Sequence, residues 1–209
     1  MGKRSDFKRI ARDNYPTPIE AVRPLVPHLQ RAKFHFTEPC AGDGRLAMHI
    51  EALTSGKCER WSDIEPRRDG IAKADALVEA DDMAAMFITN PPWGRAILHP
   101  LILKLSDIAP AWLLFDADWM HTKQAAPFMP RLRKVVSVGR VKWIEGSKMT
   151  GKDNCCWYLF STPDDEPAQF YGRTLLAQGI VRDGEAVSAS DRSPAKPDPV
   201  GDAPKTLQS

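Results

Sequence analysis

Phe34-His35-Phe36-Thr37-Glu38-Pro39-Cys40-Ala41-Gly42-Asp43-Gly44 is the stretch whose reading sets the fold. Residues 34–37 alternate as a short strand does, and Gly42 and Gly44 suit a turn that needs positive φ or a close backbone approach. Leu46, Ile50 and Leu53 then recur at helical spacing. Strand, glycine turn and helix in that order open a parallel sheet of the nucleotide-binding kind.

The rest of the chain continues the alternation. A second strand over 58–64 runs into Asp63-Ile64-Glu65-Pro66, and a third ends near Ala74-Asp75-Ala76-Leu77. A fourth, from Met86 to Thr89, precedes a helix over 97–105 and the apolar fifth strand Ala111-Trp112-Leu113-Leu114-Phe115. Residues 129–135 lead to a sixth strand over 138–143, and 156–160 form a seventh. Upstream, Ile19, Val22, Leu25, Val26 and Leu29 keep helical spacing, with Pro24 and Pro27 expected to shorten or kink that helix. Strands alternating with helices predict an α/β architecture with a mainly parallel sheet.

A chain of 209 residues, 43% hydrophobic and 27% charged, suits one domain with a substantial core. The net charge is +2, but the part up to Phe160 carries 24 basic against 19 acidic side chains, or +5. A mildly basic body suits a polyanionic partner. Cys40, Cys58, Cys155 and Cys156 show no CxxC spacing, so neither a zinc site nor a disulfide framework is expected, and adjacent Cys155 and Cys156 should face opposite sides of the sheet. Such thiols, with no apolar run of membrane-spanning length and no apolar leader, predict a cytoplasmic protein with no membrane or metal partner.

After the fourth strand stands Asn90-Pro91-Pro92-Trp93. Its two prolines fix φ and remove two N–H donors, leaving a stiff corner whose carbonyl oxygens can accept hydrogen bonds beside an amide and an aromatic plane. The tetrapeptide resembles the (Asn/Asp/Ser)-Pro-Pro-(Tyr/Phe/Trp) motif of enzymes that methylate exocyclic amines of bases or the side-chain amide of glutamine. Together with the glycine turn and Tyr15-Pro16-Thr17-Pro18, over residues 14–160, the chain is similar to the class I S-adenosylmethionine-dependent amino-methyltransferases. Motif order and the strand Cys155-Cys156-Trp157-Tyr158-Leu159-Phe160 resemble the small N6-adenine DNA methyltransferases of phages and prophages.

That resemblance implies a Rossmann-like sheet of seven strands with helices on both faces and the last strand antiparallel. It implies S-adenosylmethionine as cofactor. Glu38, Pro39, Cys40, Gly42 and Gly44 would hold its amino acid end, with Cys40 where the family carries Phe; Tyr15 and Thr17 would cover that end. Asp63 would accept from the ribose hydroxyls, with Glu65 as runner-up, and Asp75 from the adenine amine, although Asp69, Asp81 and Asp82 lie nearby. Asn90 and the Pro91 carbonyl would grip the target amine, Pro92 would stiffen the corner, and Trp93 would stack on the base.

The expected substrate is adenine N6 in DNA, with RNA adenine, protein glutamine, cytosine N4 and a catalytically silent cofactor-binding module as alternatives. A loop over 145–154 should border the substrate cleft and offer Lys148 and Lys152 to phosphate. Asp116, Asp118, Trp119 and His121 follow the fifth strand on the same edge. The expected organisation is a basic arm over 1–14, a catalytic domain over 15–162, a linker over 163–182 with a docking helix over 170–178, and a tail over 183–209 too poor in apolar residues to fold. The expected oligomeric state is a monomer or weak homodimer.

Overall fold

A computed structural model of the chain describes residues 15–30, 32–144, 146 and 150–173. The basic arm, Lys148, residues 174–178 of the expected docking helix and the tail lie outside the described residues.

Eight strands form one sheet in the order β3-β2-β1-β4-β5-β7-β6-β8. They are β1 Phe34–Glu38, β2 Gly56–Asp63, β3 Ala72–Lys73, β4 Phe87–Thr89, β5 Ala111–Asp116, β6 Leu132–Arg140, β7 Asn154–Phe160 and β8 Gln169–Tyr171. The pairs β1–β2, β2–β3, β1–β4 and β4–β5 are parallel, whereas β7 runs antiparallel to both β5 and β6. Because β6 opposes β7 as β5 does, the chain leaves β6 at the same edge as it leaves β1, β4 and β5. The strand order turns back between β1 and β4, and in an open sheet of this kind the cleft lies beyond that point. The glycine turn after β1 and the tetrapeptide after β4 therefore emerge side by side.

The α/β fold and the antiparallel seventh strand agree with expectation, and three details do not. The eighth strand is the first: Phe170, expected to open a helix, lies in β8, which pairs in parallel with β6 over Lys134↔Gln169 to Val136↔Tyr171. A lone edge there would leave β6 with unpaired backbone groups, and β8 covers it. The second is β6, which begins at Leu132, six residues before the expected start, and ends before Trp143. Charged Arg133 and Lys134 disguised it. Arg133 spends its guanidinium on Ser161 Oγ at 3.0 Å and on Asp164 at 2.9 Å, so its charge is met beside the strand.

The third is β3, which is Ala72–Lys73; Ala74 to Leu77 form the turn that follows. The N-terminal helix is shortened as expected, with Pro24 and Pro27 leaving only α1 Ile19–Val22 and a 3-10 turn Val26–His28. The other α-helices among the described residues are α2 Arg45–Leu53 and α3 Arg95–Ile108.

Period-two alternation sorts the core into two layers. Trp112, Leu114, Val136, Val138, Cys155 and Trp157 meet Ala21, Val22, Leu46, Ala47 and Ile50 on one face. Leu113, Phe115, Val135, Cys156, Tyr158 and Phe160 meet Leu98, Leu101, Ile102 and Leu105 of α3 on the other. Cys155 and Cys156 thus face opposite layers as expected, and all four cysteines are free thiols. Fully buried Trp157 also donates its indole N–H to Ala21 O at 2.8 Å, tying β7 to α1. No helix among the described residues is long and apolar enough to cross a membrane.

Candidate active site

The glycine turn is stitched into the seam between β1 and β2 by its own backbone. Ala41 N–H donates to Ser62 O at 2.9 Å, Gly42 N–H to Asp63 Oδ2 at 2.8 Å, and Arg67 N–H to Gly42 O at 2.9 Å. Gly42 and Gly44 adopt φ of 56° and 80°, the left-handed region that glycine enters at little cost. At Gly44 contact adds a second demand, since a Cβ would stand 2.7 Å from the Trp61 ring.

Gly44 is also the N-cap of α2 and has no side chain to offer. Glu38, 1% exposed at the end of β1, replaces it by accepting from Ala47 N–H at 3.0 Å. Burial, with Asp43 and Asp63 as like charges nearby, pushes the Glu38 carboxyl well above its usual range against that one N–H. Cys40 is likewise pushed up by burial, to about 12, so its thiol stays protonated at neutral pH.

Asp63 holds two turns at once. Its Oδ2 accepts from Gly42 and its Oδ1 from Glu65 N–H at 2.7 Å, and both oxygens keep acceptor capacity for a further donor. Asp75 plays a similar part beyond β3, accepting from Leu77 N–H at 2.9 Å.

At the tetrapeptide, Asn90 Nδ2 donates to Thr17 Oγ1 at 3.1 Å, and the Trp93 indole donates to Asn90 Oδ1 at 3.2 Å and to Leu114 O at 3.1 Å. An indole N–H can only donate, so the Asn90 atom facing it must be the oxygen, which fixes the amide's orientation. Thr17, only 4% exposed, is thus the orienting partner that the segment before α1 brings to the end of β4.

These residues surround one cavity of about 340 Å³. Its walls include Tyr15, Thr17, Glu38, Pro39, Cys40, Gly42, Asp63, Asp75, Asn90 and Pro92, all expected from the sequence. Gly44 stands behind the turn, buried Pro91 is not part of the wall, and half-buried Trp93 lies outside it. Lys152 is exposed on the loop between β6 and β7 and does not reach the wall. Asp116 caps a 3-10 turn through Asp118 N–H at 3.0 Å, and Trp119 is buried with its indole on His99 Nε2 at 3.0 Å, so both serve the scaffold.

Several wall residues were missed: Leu46, Ile64, Ile97 and Leu101 supply apolar surface and Asp43 a further carboxylate. Ile64 carried a signal, an apolar residue between Asp63 and Glu65 at a strand end, and it is 47% exposed and lines the cavity. Trp143 was missed too, because it was read as strand. Its ring centroid lies 5.8 Å from that of Trp93, edge-on at 82°, and 6.5 Å from that of Tyr15.

The wall's charge is one-sided. Glu38, Asp43, Asp63, Glu65 and Asp75 all contribute carboxyl groups, and no Lys, Arg or His does so among the described residues. Such a lining repels phosphate and favours a ligand that carries positive charge and hydrogen-bond donors.

No family model matches the sequence, and no curated protein matches it. Solved structures are similar in fold. A Pyrococcus horikoshii protein described as an RNA methyltransferase superposes over 76% of this chain and 91% of its own, at 15% identity and a TM-score of 0.50. A dimethyladenosine transferase from Plasmodium falciparum covers 72% of this chain and 62% of its own at 15% identity and a TM-score of 0.48. The methyltransferase subunit of a Streptococcus thermophilus type I restriction-modification system covers 81% and 48% at 9% identity and 0.49. The first likeness is one of fold, an α/β sheet shared with that methyltransferase.

Proposed function

We propose that the chain transfers a methyl group from S-adenosylmethionine to the exocyclic N6 amine of adenine in nucleic acid, with DNA as the preferred substrate. One observation carries the reading: the Asn90 amide, held in a single orientation by Thr17 and Trp93, lines the same cavity as five carboxyl groups and no basic side chain among the described residues. A dinucleotide would bring phosphates to that wall. A sulfonium cofactor brings an ammonium, ribose hydroxyls and an adenine amine, all of which suit it.

In this reading Glu38 receives the ammonium, and Asp63, with Glu65 beside it, receives the ribose hydroxyls. Asp75 receives the adenine amine, while Ile64 and Leu77 supply apolar surface to the ring. The cofactor contributes a methyl group activated by its sulfonium. Adenine N6 is a poor nucleophile because its lone pair is delocalised into the ring, and the corner's task is to favour the pyramidal nitrogen of the transition state. Asn90 Oδ1 retains one acceptor direction beyond its bond to Trp93, and the Pro91 carbonyl supplies a second acceptor. Trp93 and Trp143 offer aromatic surface to an unpaired base, an interaction worth about 1–3 kcal/mol. The balance of +5 up to Phe160 suits a polyanion.

The test is transfer of radiolabelled methyl from the cofactor to DNA, RNA or protein, followed by digestion of the product. Label on adenine N6 of DNA is expected. Label on RNA adenine alone moves the substrate to the alternative, and label on glutamine or no transfer rejects the proposal.

A further inference from the structure

The cavity's Asp75–Leu77 wall belongs to a segment that no strand supports, since β3 ends at Lys73 and β4 begins at Phe87. Within that segment Val78 N–H and Glu79 N–H both turn back to Asp75 O, at 2.9 and 2.7 Å, which leaves the Leu77 and Val78 carbonyls pointing out of the turn. Lys104 takes both: its Nζ donates to Leu77 O at 2.8 Å and to Val78 O at 3.1 Å. Lys104 belongs to α3, which also supplies Ile97 and Leu101 to the cavity wall. Residues 97, 101 and 104 follow i, i+4, i+7 and so share one helix stripe.

We propose that Lys104 is a positioning residue that sets the width of the slot between the Asp75–Leu77 turn and α3, and thereby decides how tightly the site holds a purine ring and which purines it admits. The inference rests on the cofactor reading above. One stripe of α3 builds a wall with Ile97 and Leu101 and, one turn later, ties the opposite wall to the same helix. A planar ring gains most where both faces are in contact, and a gap of a fraction of an ångström forfeits much of that contact. Two hydrogen bonds from a charged donor to carbonyls with no ladder partner are well suited to hold such a gap constant. Lys104 itself does not line the cavity, so its influence is exerted entirely through the turn it holds.

The experiment compares the full-length protein with Lys104→Met, which keeps the length and removes the donors, and Lys104→Arg, which keeps charge and donors. Calorimetry measures the affinity for S-adenosylmethionine, adenosine and N6-benzyladenosine, and methyl-transfer kinetics run alongside. Lys104→Met is expected to weaken S-adenosylmethionine and adenosine by about tenfold, the loss typical of a charged hydrogen bond. It should also shrink the preference for adenosine over its benzyl derivative, while kcat at saturating cofactor stays within about twofold. Lys104→Arg should recover most of the affinity. Equal affinities in wild type and Lys104→Met, or a fall in kcat with KM for the cofactor unchanged, would overturn the inference and leave the cofactor reading standing. A wild-type protein that binds neither S-adenosylmethionine nor adenosine would remove both.

Discussion

The two corners of the cavity are built by different means. At the glycine turn, backbone N–H groups and carboxylates within a 38–67 window satisfy one another: Gly42 with Asp63, Glu65 with Asp63, Arg67 with Gly42, Ala47 with Glu38. At the tetrapeptide, order comes from side chains far apart in sequence, with Thr17 on the Asn90 amide and Trp93 reaching the Leu114 carbonyl. The first corner is a folded segment that carries its own restraints. The second is a stiff dipeptide whose amide is aimed by its neighbours, so its proposed function should be easier to damage without unfolding the protein.

Asn90→Ala is the sharpest way to break that contrast. Turnover should fall by about 10²–10³-fold, as for loss of one donor or acceptor aimed at a transition state, while cofactor affinity by calorimetry stays near wild type. Cofactor affinity falling in step with turnover would mean the two corners are not separable.

Gly44→Ala attacks the other corner through the backbone. It places a Cβ 2.7 Å from Trp61 at a φ of +80°, whereas Gly70, at +87°, has no atom within 4 Å of its would-be Cβ. Left-handed strain alone costs about 1–2 kcal/mol, so Gly70→Ala should lose that much in urea melts and Gly44→Ala clearly more, with cofactor uptake impaired only in the latter.

Thr17→Val is a smaller probe of remote aiming. It leaves the Asn90 amide N–H without its acceptor but keeps the shape of the buried side chain. About tenfold loss of kcat is expected, at unchanged thermal stability within a few degrees, since one net hydrogen bond is worth about 0.5–1.5 kcal/mol. Full activity would mean that Trp93 alone orients the amide.

The mildest effect concerns Glu38. Its carboxyl is raised in the folded protein, so the folded state binds its proton more tightly than the unfolded chain does. Stability is then fullest below the ordinary glutamate range and declines as pH rises through the raised value. Glu38→Gln should flatten that part of the stability-versus-pH curve in thermal melts. An unaltered slope would show that Glu38 is already ionised in the empty protein.

The two corners also differed in how readable they were. The glycine turn was legible because its contacts are local: two glycines at a strand end, an acid before them and another at the close of the next strand are side-chain types tied to particular turns. The tetrapeptide was legible as a stiff, carbonyl-rich corner, yet nothing near it in sequence identified Thr17 as the partner of its amide. β6 and Trp143 were misplaced because Arg133 and Lys134 interrupt the apolar pattern, the Arg133 charge being met beside the sheet by Asp164. β8 was read as helix because three residues carry too little periodicity to separate the two, and pairing with β6 decided the matter.

Sequence alone determined the α/β class, the two-faced core with Cys155 and Cys156 on opposite sides, and the residue types of both corners, because strand alternation, helical spacing and turn chemistry are set by near neighbours. Tertiary structure alone decided that the corners share one cavity, that its wall carries carboxyl groups and no basic side chain among the described residues, and that α3 lines it with Ile97 and Leu101 while Lys104 ties the Leu77 carbonyl to the same helix. Those features depend on which strand lies beside which, and that order is settled by burial of both sheet faces and by pairing between segments distant in the chain.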